Sequence, residues 1–420
     1  MALGFEQAGF DVVAAVDLDP VHLSAHERNF PLCEPVCGDI VDTVAADLTE
    51  AARRGWARRH AESPFAGPVD CVFGGPSCQG FSVIGPRNPD DSRNALVAQF
   101  ARIVVAMRPR WFVMENVPGL ISPRYRPVLD AFYRTLRAAG YEIAEPWRLN
   151  ARDYGVPQER KRVFVVGARA GEPVPTQPLA RADAPTVADA LGDLPALARF
   201  RTLYERDALT LRNDQLEAMR RAQSEYVRRL NGLERNPENL ADEREWDARL
   251  LTSVGLAAHS EAVVARFRGL RCGERDEIGR LPKLDPNRQS PTLRAGTGRD
   301  HGSFTSARPV HYSSPRVISV REAARLHGFP DWFGFHGTKW HGFRQVGNSV
   351  PPPLACAVAQ TVVAAACVDP PGRSGKSVAL GPGSLLRMTM REAAERYELD
   401  AELLPANVRA VGVRDAREAA

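Results

Sequence analysis

The sequence reads as an α/β protein: a doubly wound sheet with a smaller domain inserted before a last helix returns to the first. Three observations carry that reading. Short apolar runs at 69–73, 111–114 and 163–166, rich in Val, Phe and Trp, each stop at a loop or a polar block, as buried strands do. Stretches with an apolar helical face, at 96–107 and 128–139, lie between them. After Gly167 the composition turns to Pro, Ala and Asp, and a long apolar helix returns only at 354–366.

A chain of 420 residues can bury two cores, and a net charge of +4 permits a polyanionic partner without requiring one. Seven scattered cysteines, an odd number with no secretory signal before them, exclude a disulfide framework and imply reduced thiols in a cytoplasm. Cys33 and Cys37 have no second Cys or His pair at a matching spacing, so no metal site is expected. The apolar run at 355–368 is too short to span a bilayer and is interrupted by Gln360, so no membrane partner is expected.

In chain order, residues 1–9 form a helix that ends near Gly9, and 11–16 form a strand that delivers Asp17. A carboxylate there can accept from two vicinal ribose hydroxyls, or it can cap a helix. Gly38-Asp39-Ile40 reads as an Asx turn or cap leading into a helix over 41–54. The run at 69–73 ends in Gly74-Gly75-Pro76-Ser77-Cys78-Gln79-Gly80-Phe81-Ser82, which leaves Cys78 at the carboxyl end of a buried strand. In open α/β sheets chemistry sits at that end, and a thiolate is the best side-chain nucleophile. Residues 85–96 read as a polar loop closing over a substrate. The strand at 111–114 then delivers Glu115 and Asn116, setting a carboxyl group beside the cysteine. Gln158, Arg160 and Arg162 alternate on an extended segment, so they share one face. Residues 209–230 read as helical and 231–240 as a loop. Ser319 caps a helix with Glu322 in its first turn and Ala323, Leu326 and His327 spaced for burial. The segment 390–399 reads as helical.

The block at 74–82 resembles the Pro-Cys motif of the DNA (cytosine-5)-methyltransferases of bacteria, of restriction-modification or orphan type. Further blocks resembling that family follow in order from Gly4 to Ala366, except in the middle. The resemblance implies an S-adenosylmethionine-dependent methyltransferase sheet over 1–170, and a linker with a target-recognition domain over 171–343. It also implies a returning helix over 344–368; the tail at 369–420 matches nothing. It implies Cys78, Glu115, Arg160 and Arg162 as catalytic residues, with Arg162 on the cytosine carbonyl and Arg160 closer to phosphate. Asp17, Asp39, Ile40, Pro76, Leu96, Asn348 and Ser349 would bind S-adenosylmethionine, and Gln79, Ser82, Asn116 and Gln158 the substrate. His327 is read as structural.

Double-stranded DNA is the implied partner of a monomeric enzyme, with a cognate restriction endonuclease beside it. A silent DNA-binding relative and a transfer RNA methyltransferase are the competing readings. The family's glycine-rich cofactor loop and the strand before it have no counterpart here. We therefore expect Met1 to be an internal methionine, the native start lying about 10 to 20 residues earlier. The sheet should then lack a central strand, costing both neighbours a ladder partner.

Overall fold

A computed structural model of the chain describes residues 1–76, 95–181, 184–234, 236–237, 239–296, 308–369 and 377–400. Its first part runs α1 (Ala2–Gln7), β1 (Ala14–Asp17), α2 (Pro20–Asn29), β2 (Glu34–Cys37), α3 (Ala45–Arg59), β3 (Cys71–Gly74) and α4 (Ala95–Met107). It continues through β4 (Trp111–Asn116), α5 (Arg126–Ala138), β5 (Tyr141–Ile143), β6 (Trp147–Asn150), β7 (Gln158–Glu159) and β8 (Lys161–Arg169). This alternation is the α/β pattern the apolar runs predict. β1 starts at Ala14 rather than Asp11. α3 starts at Ala45 because a turn comes first, in which the amides of Asp42 and Thr43 donate to the Asp39 carbonyl.

β4 shows how the layers form. Its side chains alternate. Trp111 and Val113 pack with Phe164 and Val166 of β8, with Phe5 of α1, and with Leu354 and Val358. Phe112 and Met114 pack on the other side with Val165, Phe100 of α4, and Leu129 and Phe132 of α5. Each large apolar side chain so enclosed stabilises the fold by about 1.5–3 kcal/mol. β3 is parallel to β4, β8 is antiparallel to it, and β5 and β6 both pair with β8.

β1 and β2 form a separate parallel pair, and among the described residues no strand joins β1 to β3. The consequence is visible in burial. β4 is buried at every residue, whereas β3 is only half-buried throughout and β1 is half-buried up to its exposed last residue.

The second part holds α6 (Val187–Leu191), β9 (Ala208–Thr210), α7 (Asn213–Ala222), α8 (Glu225–Leu230), β10 (Glu243–Glu245) and β11 (Leu250–Thr252). After them come α9 (Glu261–Gly269), β12 (Ser290–Pro291), α10 (Val320–Arg325), α11 (Lys339–Asn348), α12 (Pro352–Ala366), β13 (Ser377–Ala379) and α13 (Met390–Arg396). The single helix expected at 209–230 is instead the end of a strand and two helices. Ser224 explains the break, since its Oγ accepts from the Val227 amide at 3.2 Å and starts α8 afresh. Leu197, Leu203, Leu211, Met219, Leu251 and Val254 give this part a small core of its own. Ser319 caps α10 in a reciprocal box with Glu322, and Ala323, Leu326 and His327 are buried, as the spacing predicts.

α12 returns to the first part and lies against α1. A Cβ on Gly4 would stand 2.5 Å from the Ala355 Cβ, so only glycine allows that approach. The stretch Lys339–Ala366 is apolar and long enough to cross a membrane by composition. It is interrupted between Asn348 and Pro352, and Leu354, Val358 and Val362 of α12 are core residues. The segment 377–400 packs back on α2, where Arg396 and Tyr397 both hold Glu27.

Candidate active site

Glu115 stands near the end of β4 on the face of Trp111 and Val113, and Arg162 enters β8 on the face of Phe164 and Val166. The antiparallel register sets Glu115 opposite Phe164, which makes Arg162 its diagonal neighbour on the same face. The two side chains meet, with Arg162 Nε donating to Glu115 Oε1 at 2.9 Å. Their side chains are only 11 and 12 % exposed, so the pair lies at the rim of the core rather than on the surface. Arg162 also donates to the Lys161 carbonyl at 2.8 Å, which leaves donors of its five for a further acceptor.

β3 brings its following loop to the same place. A Cβ on Gly75 would stand 3.0 Å from Glu115 Oε2, so the loop passes flush against the carboxylate. Gly75 is legible in the sequence as the second of two glycines before Pro76, but only the packing shows what it makes room for. Asn116 Nδ2 donates to the Pro76 carbonyl at 3.1 Å, and its Oδ1 accepts from the Val117 amide at 2.9 Å. The main chain is thereby fastened two residues before Cys78. Cys78, Gln79 and Ser82 themselves lie outside the described residues. The substrate contact expected of Asn116 is corrected: it is 2 % exposed and commits both amide groups to backbone, so it is a positioning residue.

Two further expectations are corrected. Arg160 is 1 % exposed and donates to the carbonyls of Leu293, Gly347 and Ser349 at 2.8, 2.7 and 2.9 Å. A guanidinium so enclosed cannot reach a phosphate; it braces the returning chain against the sheet. Gln158 is buried as well, and its Nε2 donates to the Leu326 carbonyl and to His327 Nδ1, while its Oε1 accepts from the Leu293 amide. His327 completes the network by donating from Nε2 to the Ser349 carbonyl at 3.0 Å. Burial, then the Arg160 charge, pushes the His327 pKa well below its ordinary value, which keeps the ring neutral. The three alternating residues do share a face. Residues 293 and 347–349 cover its first half, and only Arg162 opens on the crevice.

The expected cofactor residues lie mainly at strand ends. Asp17 ends β1 in an exposed position, with Oδ1 accepting from the Asp19 amide at 2.9 Å. Asp39 follows β2 and forms the Asx turn, accepting from the Val41 amide. Ile40 beside it is half-buried, and Arg102 of α4 holds the carbonyls of Ile40, Val41 and Thr43. Pro76 and Leu96 are half-buried. Asn348 ends α11 exposed, whereas the Ser349 hydroxyl turns back to the Val346 carbonyl. Two carboxylates after parallel strands, with an apolar side chain beside the second, suit ribose hydroxyls and a flat base. In the second part, Arg228 and Arg229 pair with Glu234, and Arg266 pairs with Asp276.

The C-5 cytosine-specific DNA methylase family matches residues 1–364. The Type II methyltransferase M.XorII of Xanthomonas oryzae pv. oryzae is 43 % identical over 412 residues, 98 % of this chain and 93 % of that one. M.AgeI of Thalassovita gelatinovora, also a Type II methyltransferase, is 31 % identical, with 86 % of this chain and 95 % of that one covered. A crystal structure described as a prophage-encoded DNA modification methyltransferase (E. coli) superposes with a TM-score of 0.67 at 31 % identity, covering 87 % of this chain and 95 % of that one. With residues 1–364 matched by the family and 98 % of its length by M.XorII, this chain belongs to the C-5 cytosine-specific DNA methylase family, and is by family a DNA cytosine-5 methyltransferase.

Proposed function

We propose that the chain methylates carbon 5 of a cytosine flipped out of duplex DNA, through a covalent bond to Cys78 and with S-adenosylmethionine as donor. The observation that carries this reading is the Glu115–Arg162 pair, set at the rim of the core beside the anchored loop that leads to Cys78. Carbon 5 of cytosine is a poor nucleophile, and carbon 6 is hidden in the base stack. Extruding the base costs a few kcal/mol and exposes that carbon. The Cys78 thiolate then adds to carbon 6, Glu115 supplies the proton or hydrogen bond at ring nitrogen 3, and Arg162 holds the ring carbonyl. Negative charge is drawn towards nitrogen 3, and carbon 5 becomes enamine-like. When bound, S-adenosylmethionine supplies the electrophilic methyl group that this carbon takes. Loss of the carbon 5 proton then restores the double bond and expels the Cys78 sulfur.

Asp17 would hold the cofactor's ribose and Asp39 with Ile40 its adenine. Asn116 and Gly75 serve the chemistry by fixing where the Cys78 loop starts. The second part, with its own small core, would read the DNA sequence. The Type II names of the relatives support a restriction-modification setting with a cognate endonuclease.

The test is transfer of a tritiated methyl group from S-adenosylmethionine to unmethylated duplex DNA by this chain. We expect label in 5-methylcytosine. Label on transfer RNA but not on DNA, or no label on either, would overturn the reading.

A further inference from the structure

Three histidines and an aspartate gather where the first turn of α2 meets α11, at a place the methyl-transfer chemistry does not use. Asp19 is the N-cap of α2, and its Oδ1 accepts from the amides of Val21 and His22 at 3.0 and 3.1 Å. Its other oxygen, Oδ2, lies 3.6 Å from His22 Nδ1. The His22 and His341 rings meet edge to face with centroids 6.3 Å apart. One ligand atom each from Asp19, His22 and His341 can be chosen so that all lie within 4.8 Å of one another. Among the described residues, His22 Nε2 and His341 Nδ1 are enclosed and have no hydrogen-bond partner. His336, packed on His341, differs: its Nε2 donates to the Met388 carbonyl and its Nδ1 accepts from the Thr338 amide.

A buried nitrogen left without a partner costs about 1–3 kcal/mol. Each ring can present one nitrogen to an ion beside the Asp19 carboxylate: on His22 the nitrogen that faces Asp19 is Nδ1, while its Nε2 is the unpartnered one, and on His341 the unpartnered nitrogen is Nδ1. Imidazole and carboxylate are ligands that zinc-class ions accept, and tetrahedral bonds of about 2.0–2.1 Å need ligand atoms about 3.4 Å apart. The Asp19–His22 pair stands near that spacing through Nδ1, at 3.6 Å, and one ligand atom from each of the three residues lies within 4.8 Å of the others. We propose that Asp19, His22 and His341 form a binding site for a zinc-class dication, with water in the fourth position. The ion would clamp α2 to α11, two elements far apart in the chain. Because the Asp19 amide also donates to Asp17 Oδ1, the clamp would steady the end of β1 as well.

The test uses the full chain without an affinity tag, stripped with a chelator and titrated with Co2+ and then Zn2+. We expect one equivalent of Co2+ with visible d–d bands, no sulfur charge-transfer band, displacement by Zn2+, and a higher Tm with Zn2+. His341→Ala and Asp19→Asn should each weaken binding at least about tenfold, since even outer-shell losses cost that much. Asn keeps the capping oxygen, so Asp19→Asn tests the ligand while α2 stays intact. His26→Gln, one turn along α2, should bind as the wild type does. Absence of saturable binding, a thiolate band, unchanged affinity in the first two variants, or loss in the third would overturn the assignment. None of these readouts depends on methyl transfer.

Discussion

Glu115 and Glu322 each meet an arginine at similar distance, Arg162 at 2.9 Å and Arg316 at 2.7 Å, yet their surroundings differ. Glu322 is 1 % exposed, and besides both Arg316 nitrogens it accepts from the Ser319 amide and faces His311. Burial alone would push its pKa up; the Arg316 charge and hydrogen bonds outweigh that and hold it at about 2. Among the described residues Glu115 has one ion-pair partner, and its second oxygen faces the gap kept open by Gly75. The Glu322 carboxylate is therefore saturated, and its pair holds α10, whereas the Glu115 carboxylate keeps one oxygen without an ion-pair partner among the described residues. Arg325, enclosed between Asp193 and Asp331, repeats the saturated case.

Substitutions should separate the two kinds of pair. The largest effect is expected of Cys78→Ser, which should take methyl transfer below detection while DNA binding in a filter or shift assay persists; turnover at the wild-type rate would remove Cys78 from the chemistry. Glu322→Gln should cost about 3–5 kcal/mol of stability in urea unfolding, because it strands Arg316 in the interior. An unchanged midpoint would mean the buried network is dispensable.

The same network makes a pH prediction. Glu322 and Asp331 are both held at about 2, below their ordinary values of 4.5 and 3.8. The unfolded chain therefore takes up these protons first, and stability is lost as pH falls from about 4.5 towards 2. Urea midpoints across that window should fall more steeply for the wild type than for Glu322→Gln.

Glu115→Gln should slow transfer at least about a hundredfold, the scale of a lost general acid, with little change in the urea midpoint. A loss of stability equal to that of Glu322→Gln would erase the distinction drawn between the pairs. The smallest effect is expected of Arg162→Lys, which keeps the charge but loses the planar fork, and should cost about tenfold in rate.

Much of the candidate site is legible in the order of the residues alone. The strand end at Gly74 and the place of Glu115 near the end of β4 follow from apolar runs that stop at particular residues, and the Ser319–Glu322 cap follows from spacing within one turn. What is not legible there depends on residues distant along the chain. Gln158, Arg160 and Arg162 look equivalent because period-2 alternation puts them on one face. Leu293, Gly347 and Ser349 arrive from more than a hundred residues away to cover the first two. Asn116 looks like a substrate contact until the Pro76 carbonyl is seen against it. No spacing rule could join His341 to Asp19 and His22.

The sequence by itself determined which residues are chemically able to act and which segments are strand or helix, because those depend on side-chain type and on neighbours within a turn or a pleat. Tertiary structure alone decided which of the able residues are free to act. Sheet register set Arg162 diagonal to Glu115, and the returning chain buried Arg160. Register and cover are properties of segments meeting across the fold, where burial and hydrogen-bond satisfaction are settled jointly rather than residue by residue.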